Sequence, residues 1–326
     1  MERRFSRDVA AAGLTCLLVV GLAALLAADD PQQFSAWSAP VNLGPIVNST
    51  ANDAGSFISK DGLSFYYSSD RPGGYGSLDI WVSQRASVDD SWGTPQNLGP
   101  DINTNGSDTT PTISLDGHWL FFASDRPGGF GQLDLYVSRR HNKRDDFGWQ
   151  PPVNLGSGVN TAFTERGPAY FEDDETGTIT LYFSSTRPGG VGFEDIYAST
   201  LDEDAEDETF GPAVLVPELS SPFGDTNPAI RRDGLEMFLG SRRLGTFGDS
   251  DLWVSTRPST SDPWSTPVNL GAVVNSTVLD FRPALSFDGT ELYFHSARSG
   301  GYGGFDIYRS TRTKADEDDD DEEDDD

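Results

Sequence analysis

Thiol chemistry has almost no place in this chain: of 326 residues one is cysteine, Cys16, and it lies inside the apolar stretch Val9 to Ala28. With that stretch removed as an export signal, the remainder has neither a disulfide nor a cysteine metal site. Histidine is nearly as scarce. His118, His141 and His295 are too few and too scattered for a histidine metal centre, so no metal and no cofactor is expected. Positive charge is short as well, 23 Lys and Arg against 52 Asp and Glu, for a formal net charge of -29. A phosphate backbone would be repelled, which excludes nucleic acid as a partner. Gly-x-Ser-x-Gly, His-Glu-x-x-His and any phosphate-cradling loop are missing. After residue 36 no stretch carries a helical period.

What the chain has is repetition. Ser69-Asp70-Arg71-Pro72-Gly73-Gly74-Tyr75-Gly76, running on to Asp79-Ile80-Trp81, returns from Ser124 to Tyr136, and again around Arg187 and Asp195, Arg243 and Asp251, and Arg298 and Asp306. In every copy the arginine precedes the aspartate by eight residues. Each unit of roughly 55 residues reads as four short strands. In the second unit these are Trp92 to Gly99, Pro111 to Leu115, Trp119 to Ser124 and Leu133 to Ser138, with apolar residues alternating at Leu120 and Phe122 and at Leu133, Leu135 and Val137. Lys60-Asp61-Gly62, Leu115-Asp116-Gly117, Arg232-Asp233-Gly234 and Phe287-Asp288-Gly289 supply hairpin turns, and Glu172 to Gly177 replaces them in the third unit.

Four strands per repeat, stacked around an axis, is the plan of a β-propeller. The expected fold is therefore all-β, with five blades. Trp37 to Gly44 matches Trp92 to Gly99, Trp149 to Gly156 and Trp264 to Gly271, and nothing like it follows the last unit. The N-terminal strand is thus expected to complete the last blade and remove the exposed edges. The tryptophans that open these outer strands, and the run Phe65, Tyr66, Tyr67, are expected to pack between blades.

The Asp-Gly turn, the Ser-Asp-Arg-Pro-Gly-Gly loop, the Asp-Ile-Tyr strand and the Trp-x-x-Pro-Val-Asn-Leu-Gly strand together resemble the TolB-type, WD40-like propeller repeats of exported bacterial proteins, over about residues 37–312. The resemblance implies a scaffold put to many uses. No OmpA-like segment follows, so wall anchoring is not carried over.

In a propeller of this strand order, the loop entering each innermost strand and the loop between the second and third strands open on one face. That face gathers Asp53, Asp108, Glu165, Asp225 and Asp280 from the first loop. From the second it gathers Arg71, Arg126, Arg187, Arg243 and Arg298, with Tyr75, Phe130, Phe247 and Tyr302; Val191 breaks the aromatic series. These residues form the expected binding surface, suited to a sugar or a peptide end. A structural role competes: each arginine paired with the aspartate eight residues on, Arg126 with Asp134, would pin the glycine-rich loop. Asp53, Asp108 and Glu165 also occupy the sort of positions that five-bladed glycoside hydrolases use, but the equivalence of Asp225 and Asp280 argues against distinct acid and base roles. The expectation is a non-catalytic scaffold that binds envelope proteins or other ligands, not an enzyme. The alternative is a carbohydrate-active propeller, lectin or hydrolase, engaging cell-surface glycans. Any unique site is expected beside blades 3 and 4, which carry the deviations Asp173 to Thr178, Asp202 to Thr209 and Leu244-Gly245-Thr246.

Residues 1–28 read as a signal peptide or N-terminal anchor, 29–36 as a linker, 37–312 as the propeller and 313–326 as a disordered acidic tail. The protein is expected to be exported, periplasmic or extracellular, and monomeric. Residues 9–28 are long enough to tether it to a membrane.

Overall fold

A computed structural model of the chain describes residues 34–202 and 209–315. The apolar segment with Cys16, residues 203–208 of the blade 3 insert, and the acidic run from Asp316 lie outside the described residues. Among those described there are 21 strands and no helix.

The chain opens with β1 (Val41–Asn42). Blade 1 follows as β2 (Asp53–Ile58), β3 (Ser64–Ser69), β4 (Asp79–Gln84) and β5 (Gln96–Asn97). Blade 2 is β6 (Asp108–Ile113), β7 (Trp119–Ser124), β8 (Asp134–Arg139) and β9 (Val153–Asn154). Blade 3 is β10 (Glu165–Glu172), β11 (Ile179–Ser185) and β12 (Asp195–Asp202), with β13 (Thr209–Phe210) and β14 (Val214–Leu215) both on the edge of β12. Blade 4 is β15 (Asp225–Ile230), β16 (Glu236–Ser241), β17 (Asp251–Thr256) and β18 (Val268–Asn269). Blade 5 is β19 (Asp280–Leu285), β20 (Glu291–Ser296) and β21 (Asp306–Thr311), and β1 pairs with β21 to finish it. The fold is the five-bladed propeller expected, with β2, β6, β10, β15 and β19 around the axis.

Alternation along the second strand of each blade gives both sheet faces something to bury. Phe65, Tyr66 and Tyr67 are all fully buried: Tyr66 joins the cluster shared with blade 2, and Phe65 and Tyr67 join the one shared with blade 5. Five such clusters fill the five gaps between neighbouring blades. The outer tryptophans lie in these gaps. Trp37 meets Phe238 edge-on at 6.0 Å, and Trp264 meets Tyr182 at 6.5 Å.

Closure rests on more than its ladder. Only Val41↔Arg309 and Asn42↔Tyr308 are in register, worth about 1 kcal/mol per hydrogen bond. Buried Val47 and the Trp37 side chain add about 1.5–3 kcal/mol each by leaving water. Asn48, also buried, bonds both the amide and the carbonyl of Ile307, at 2.8 and 3.0 Å.

Two boundaries differ from those expected. The outer strands shrink to two ladder residues, because Pro40, Pro95, Pro152 and Pro267 stand next to them without an N–H to donate. The inner strand of blade 2 begins at Asp108 rather than Pro111. Pairing runs Asp108↔Ser124 and Thr109↔Ala123, then skips to Thr112↔Phe121, so Thr110 and Pro111 bulge out of the ladder.

Candidate functional site

The face on which the inner strands begin is termed upper, and the face of the hairpin turns between first and second strands lower. On the upper face the five acids Asp53, Asp108, Glu165, Asp225 and Asp280 have no exposed surface. Asp108 explains why. Its Oδ2 accepts the Thr104 amide at 2.6 Å and the Thr104 hydroxyl at 2.8 Å; its Oδ1 accepts Ser124 Oγ at 2.6 Å and Arg126 Nη2 at 2.7 Å. Arg126 also donates Nε to Ser124 Oγ and Nη2 to the Ile102 carbonyl, and lies over the Phe122 and Tyr136 rings. The other blades repeat this latch: Arg71 with Asp53 at 2.5 Å, Arg298 with Asp280 at 2.6 Å, Arg187 with Glu165 at 3.3 Å, and Arg243 with Asp225. Loss of hydration pulls the Arg187 guanidinium below its ordinary pKa, with Glu165 opposing.

This corrects the pairing expected from the eight-residue spacing. Asp134 does not meet Arg126. It accepts the Phe130 and Gly131 amides at 2.5 and 3.2 Å, and Asn154 Nδ2 at 3.4 Å. The aspartate does pin the glycine-rich loop, through backbone amides rather than through the arginine. A Cβ on Gly129 would stand 1.9 Å from Asp134 Oδ2, and one on Gly131 1.9 Å from the Phe163 carbonyl of the next blade's loop, so neither position admits a side chain. Burial raises the Asp134 carboxyl pKa against the two amide bonds that lower it.

Around this latched ring Tyr75, Phe130, Phe247 and Tyr302 are each about half exposed, and Phe193 beside Val191 supplies the missing aromatic of blade 3 at 77% exposure. At the axis the third residues of the inner strands, Gly55, Thr110, Gly167, Asn227 and Arg282, all take positive φ. Arg282 reaches across the channel to Thr109 Oγ1 at 3.3 Å, and bare Gly55 leaves room for it: a Cβ there would lie 3.2 Å from Arg282 Nη1. Nearby, Arg166 grips Glu194 with two bonds of 2.7 and 2.6 Å. None of Arg166, Glu194, Arg282 and His295 carries a repeat signal that would have singled it out.

Below this plug the channel widens into a cavity of about 500 Å³ opening on the lower face, opposite to the face expected. Phe57, Ile113, Tyr170, Ile230 and Leu285 wall it, one from each blade. Its rim is not five-fold. Lys60 lies over the Phe287 ring at 4.6 Å, Lys143 and Arg144 stand exposed on the next blade, and Arg232 bonds Asp174 and the Glu172 carbonyl. The Tyr170 hydroxyl donates to Glu172 Oε2 at 3.1 Å. Burial first, then the Glu172 and Asp116 carboxylates, push that hydroxyl well above its ordinary pKa. From blade 3, Tyr170, Phe171 and Glu172, just before its longer turn, line the cavity, whereas Asp173 to Thr178 do not.

A second arginine series buttresses the lower side, and sequence reading missed it. Arg85, Arg140, Arg257 and Arg312 each lie fourteen residues after a latch arginine. Each donates Nε to the glycine carbonyl of its hairpin turn and stacks on an outer tryptophan, Trp92, Trp149, Trp264 or Trp37, at 4.2–4.4 Å. The constant spacing was the available signal.

No protein-family model matches the chain, and no curated protein matches it. Among solved structures it is similar to an α-L-arabinofuranosidase from Lactobacillus brevis (17% identity, TM-score 0.57, 82% of this chain and 92% of that one). It is also similar to the catalytic domain of a Coprinopsis cinerea GH62 α-L-arabinofuranosidase (14%, 0.56, 86% and 98%) and to a Xanthomonas citri GH43_1 enzyme complexed with xylotriose (16%, 0.57, 85% and 90%). At these identities the likeness establishes the five-bladed fold. The similar propellers named here are glycoside hydrolases, which runs against two expectations, the non-catalytic scaffold and the absence of enzymatic activity, and favours the carbohydrate-active alternative.

Proposed function

We propose that the chain is a carbohydrate-active propeller, a glycoside hydrolase that takes its saccharide in the lower cavity. One observation carries the reading: Glu172, which blade 3 alone carries, faces the same cavity as the repeated turn aspartates Asp61 and Asp116, so that carboxylates in unlike surroundings share one space. Acid and base work needs such unlikeness, and the symmetric upper ring lacks it. Glu172 is held by the Tyr170 hydroxyl at the cavity wall; Asp116 is exposed at a turn, one oxygen tied to Ser114 and the His118 amide. Glu172 is assigned as the acid and Asp116 as the base, with Phe287 and Tyr170 as surfaces on which a sugar ring lies. Complexes of similar propellers with xylotriose and cellotriose support a glycan as the ligand. The likeness of the repeats to TolB-type units, and the apolar segment 9–28, support export to the cell envelope or beyond.

The test is reducing-sugar release from arabinan, xylan and pectic polymers. Glu172→Gln and Asp116→Asn are expected to abolish turnover with little change in melting temperature, whereas Glu165→Gln lowers the melting temperature. Turnover that survives both cavity substitutions would move the site elsewhere, and neither turnover nor binding on any glycan would end the reading.

A further inference from the structure

The upper channel holds charge that the propeller's construction does not explain. Each latch arginine has its own acid, but Arg282 has none: its bond is the one to Thr109, and among the described residues its buried Nε finds no partner. The charges that act on it are Arg166, of like sign, and Glu194, already engaged twice by Arg166. His295 is 4% exposed, wedged edge-on between Phe281 and Phe305, and its Nδ1 is also without a partner. Loss of hydration and then Arg166 lower the Arg282 pKa to about 9, which leaves the guanidinium charged at neutral pH. Two guanidiniums thus share one carboxylate in a chain of net charge -29. A cation largely withdrawn from water without a counter-ion of its own is costly, and an arriving anion relieves that cost. The place is reachable, since 26% of the Arg166 side chain stays exposed and Arg282 is only partly buried.

We propose that the upper mouth of the channel binds a small carboxylate between Arg282 and Arg166, beside His295. The planar fork of arginine fits a carboxylate by two parallel bonds. The carboxylate belongs either to an acidic sugar or to a free organic acid. The inference goes beyond the saccharide reading and is independent of it, because the lower cavity lies on the other face.

The test is titration of the full chain at constant ionic strength with galacturonate, acetate and galactose, followed by calorimetry and thermal shift. Galacturonate and acetate are expected to bind saturably and galactose not to bind at this site. Tighter galacturonate binding assigns the site to acidic sugars, and equal binding to carboxylates at large. Arg282→Asn installs the residue that blade 4 carries at the same position, Asn227, and is expected to weaken binding by about tenfold or more. Arg282→Lys, which keeps the charge and loses the fork, is measured beside it and weakens binding several-fold. Glu194→Gln frees Arg166 and tightens binding. Carboxylate binding unchanged in both Arg282 variants, or absent from the wild type and Glu194→Gln alike, overturns the proposal.

Discussion

At the scale of single residues, the repeated arginine and acid are a fastening, and their position in the sequence misleads about their partners. The eight-residue interval from Arg126 to Asp134 is regular because both ends of one loop are held, each by something else. The partner acid stands eighteen residues earlier, across the hairpin formed by the first two strands. That interval is as regular in four blades and stretches only where Glu165 and the longer hairpin of blade 3 intervene. Asp108 has both oxygens doubly bonded and no exposure, so removing Arg126 leaves a buried, uncompensated charge. Arg126→Ala is expected to destabilise the protein by about 3–5 kcal/mol, read from denaturant unfolding. Asp134→Asn, which loses amide acceptors but no ion pair, is expected to cost about 1–3 kcal/mol. His295 gives a pH dependence with a definite sign. Burial, then Arg282 and Arg166, hold its pKa well below 6.5, so on acidification the unfolded chain takes up a proton that the folded one refuses. Its contribution is intact above pH 6.5 and is lost below. His295→Gln is expected to flatten the fall in stability between about pH 7 and pH 5 relative to wild type; parallel curves would contradict this.

At the scale of elements, the glycine-rich loop separates two reasons for glycine. Gly128 has φ +94° and open space around a would-be Cβ, whereas Gly129 would drive its Cβ into Asp134. Strain alone costs about 1–2 kcal/mol. A clash against a carboxylate held by two amides costs about 1–3 kcal/mol on top of losing those amides. Gly129→Ala is therefore expected to lower the melting temperature more than Gly128→Ala; the reverse order would show that the loop tolerates displacement. The strands themselves were legible because alternation and turn residues are local signals. The bulge at Thr110 was not, since it answers to packing at the axis, where five inner strands crowd together.

At the scale of the whole molecule, the blade count and the closing strand could be read from the offset of the repeats, with Trp37 to Gly44 matching the outer strands and no counterpart after the last unit. The cavity could not. It is made of one or two residues from each of several turns, which differ between blades and become neighbours only when the ring closes. Deleting 37–44 is expected to lower and broaden the thermal transition, since Trp37 and the two ladder pairs leave with it; an unchanged melt would refute closure. The ends of the described chain also meet. Phe34 bridges to Lys314 and lies under Arg312 at 3.7 Å and Arg231 at 5.1 Å, and Arg231 borders the lower cavity. Both the segment before residue 34 and the eleven acids from Asp316 onward consequently depart from one corner, next to the cavity mouth. With a saccharide taken in the lower cavity, as proposed, these acids are expected to disfavour pectate-like polymers relative to uncharged arabinan or xylan, and added salt is expected to remove the difference, since screening acts beyond about 10 Å.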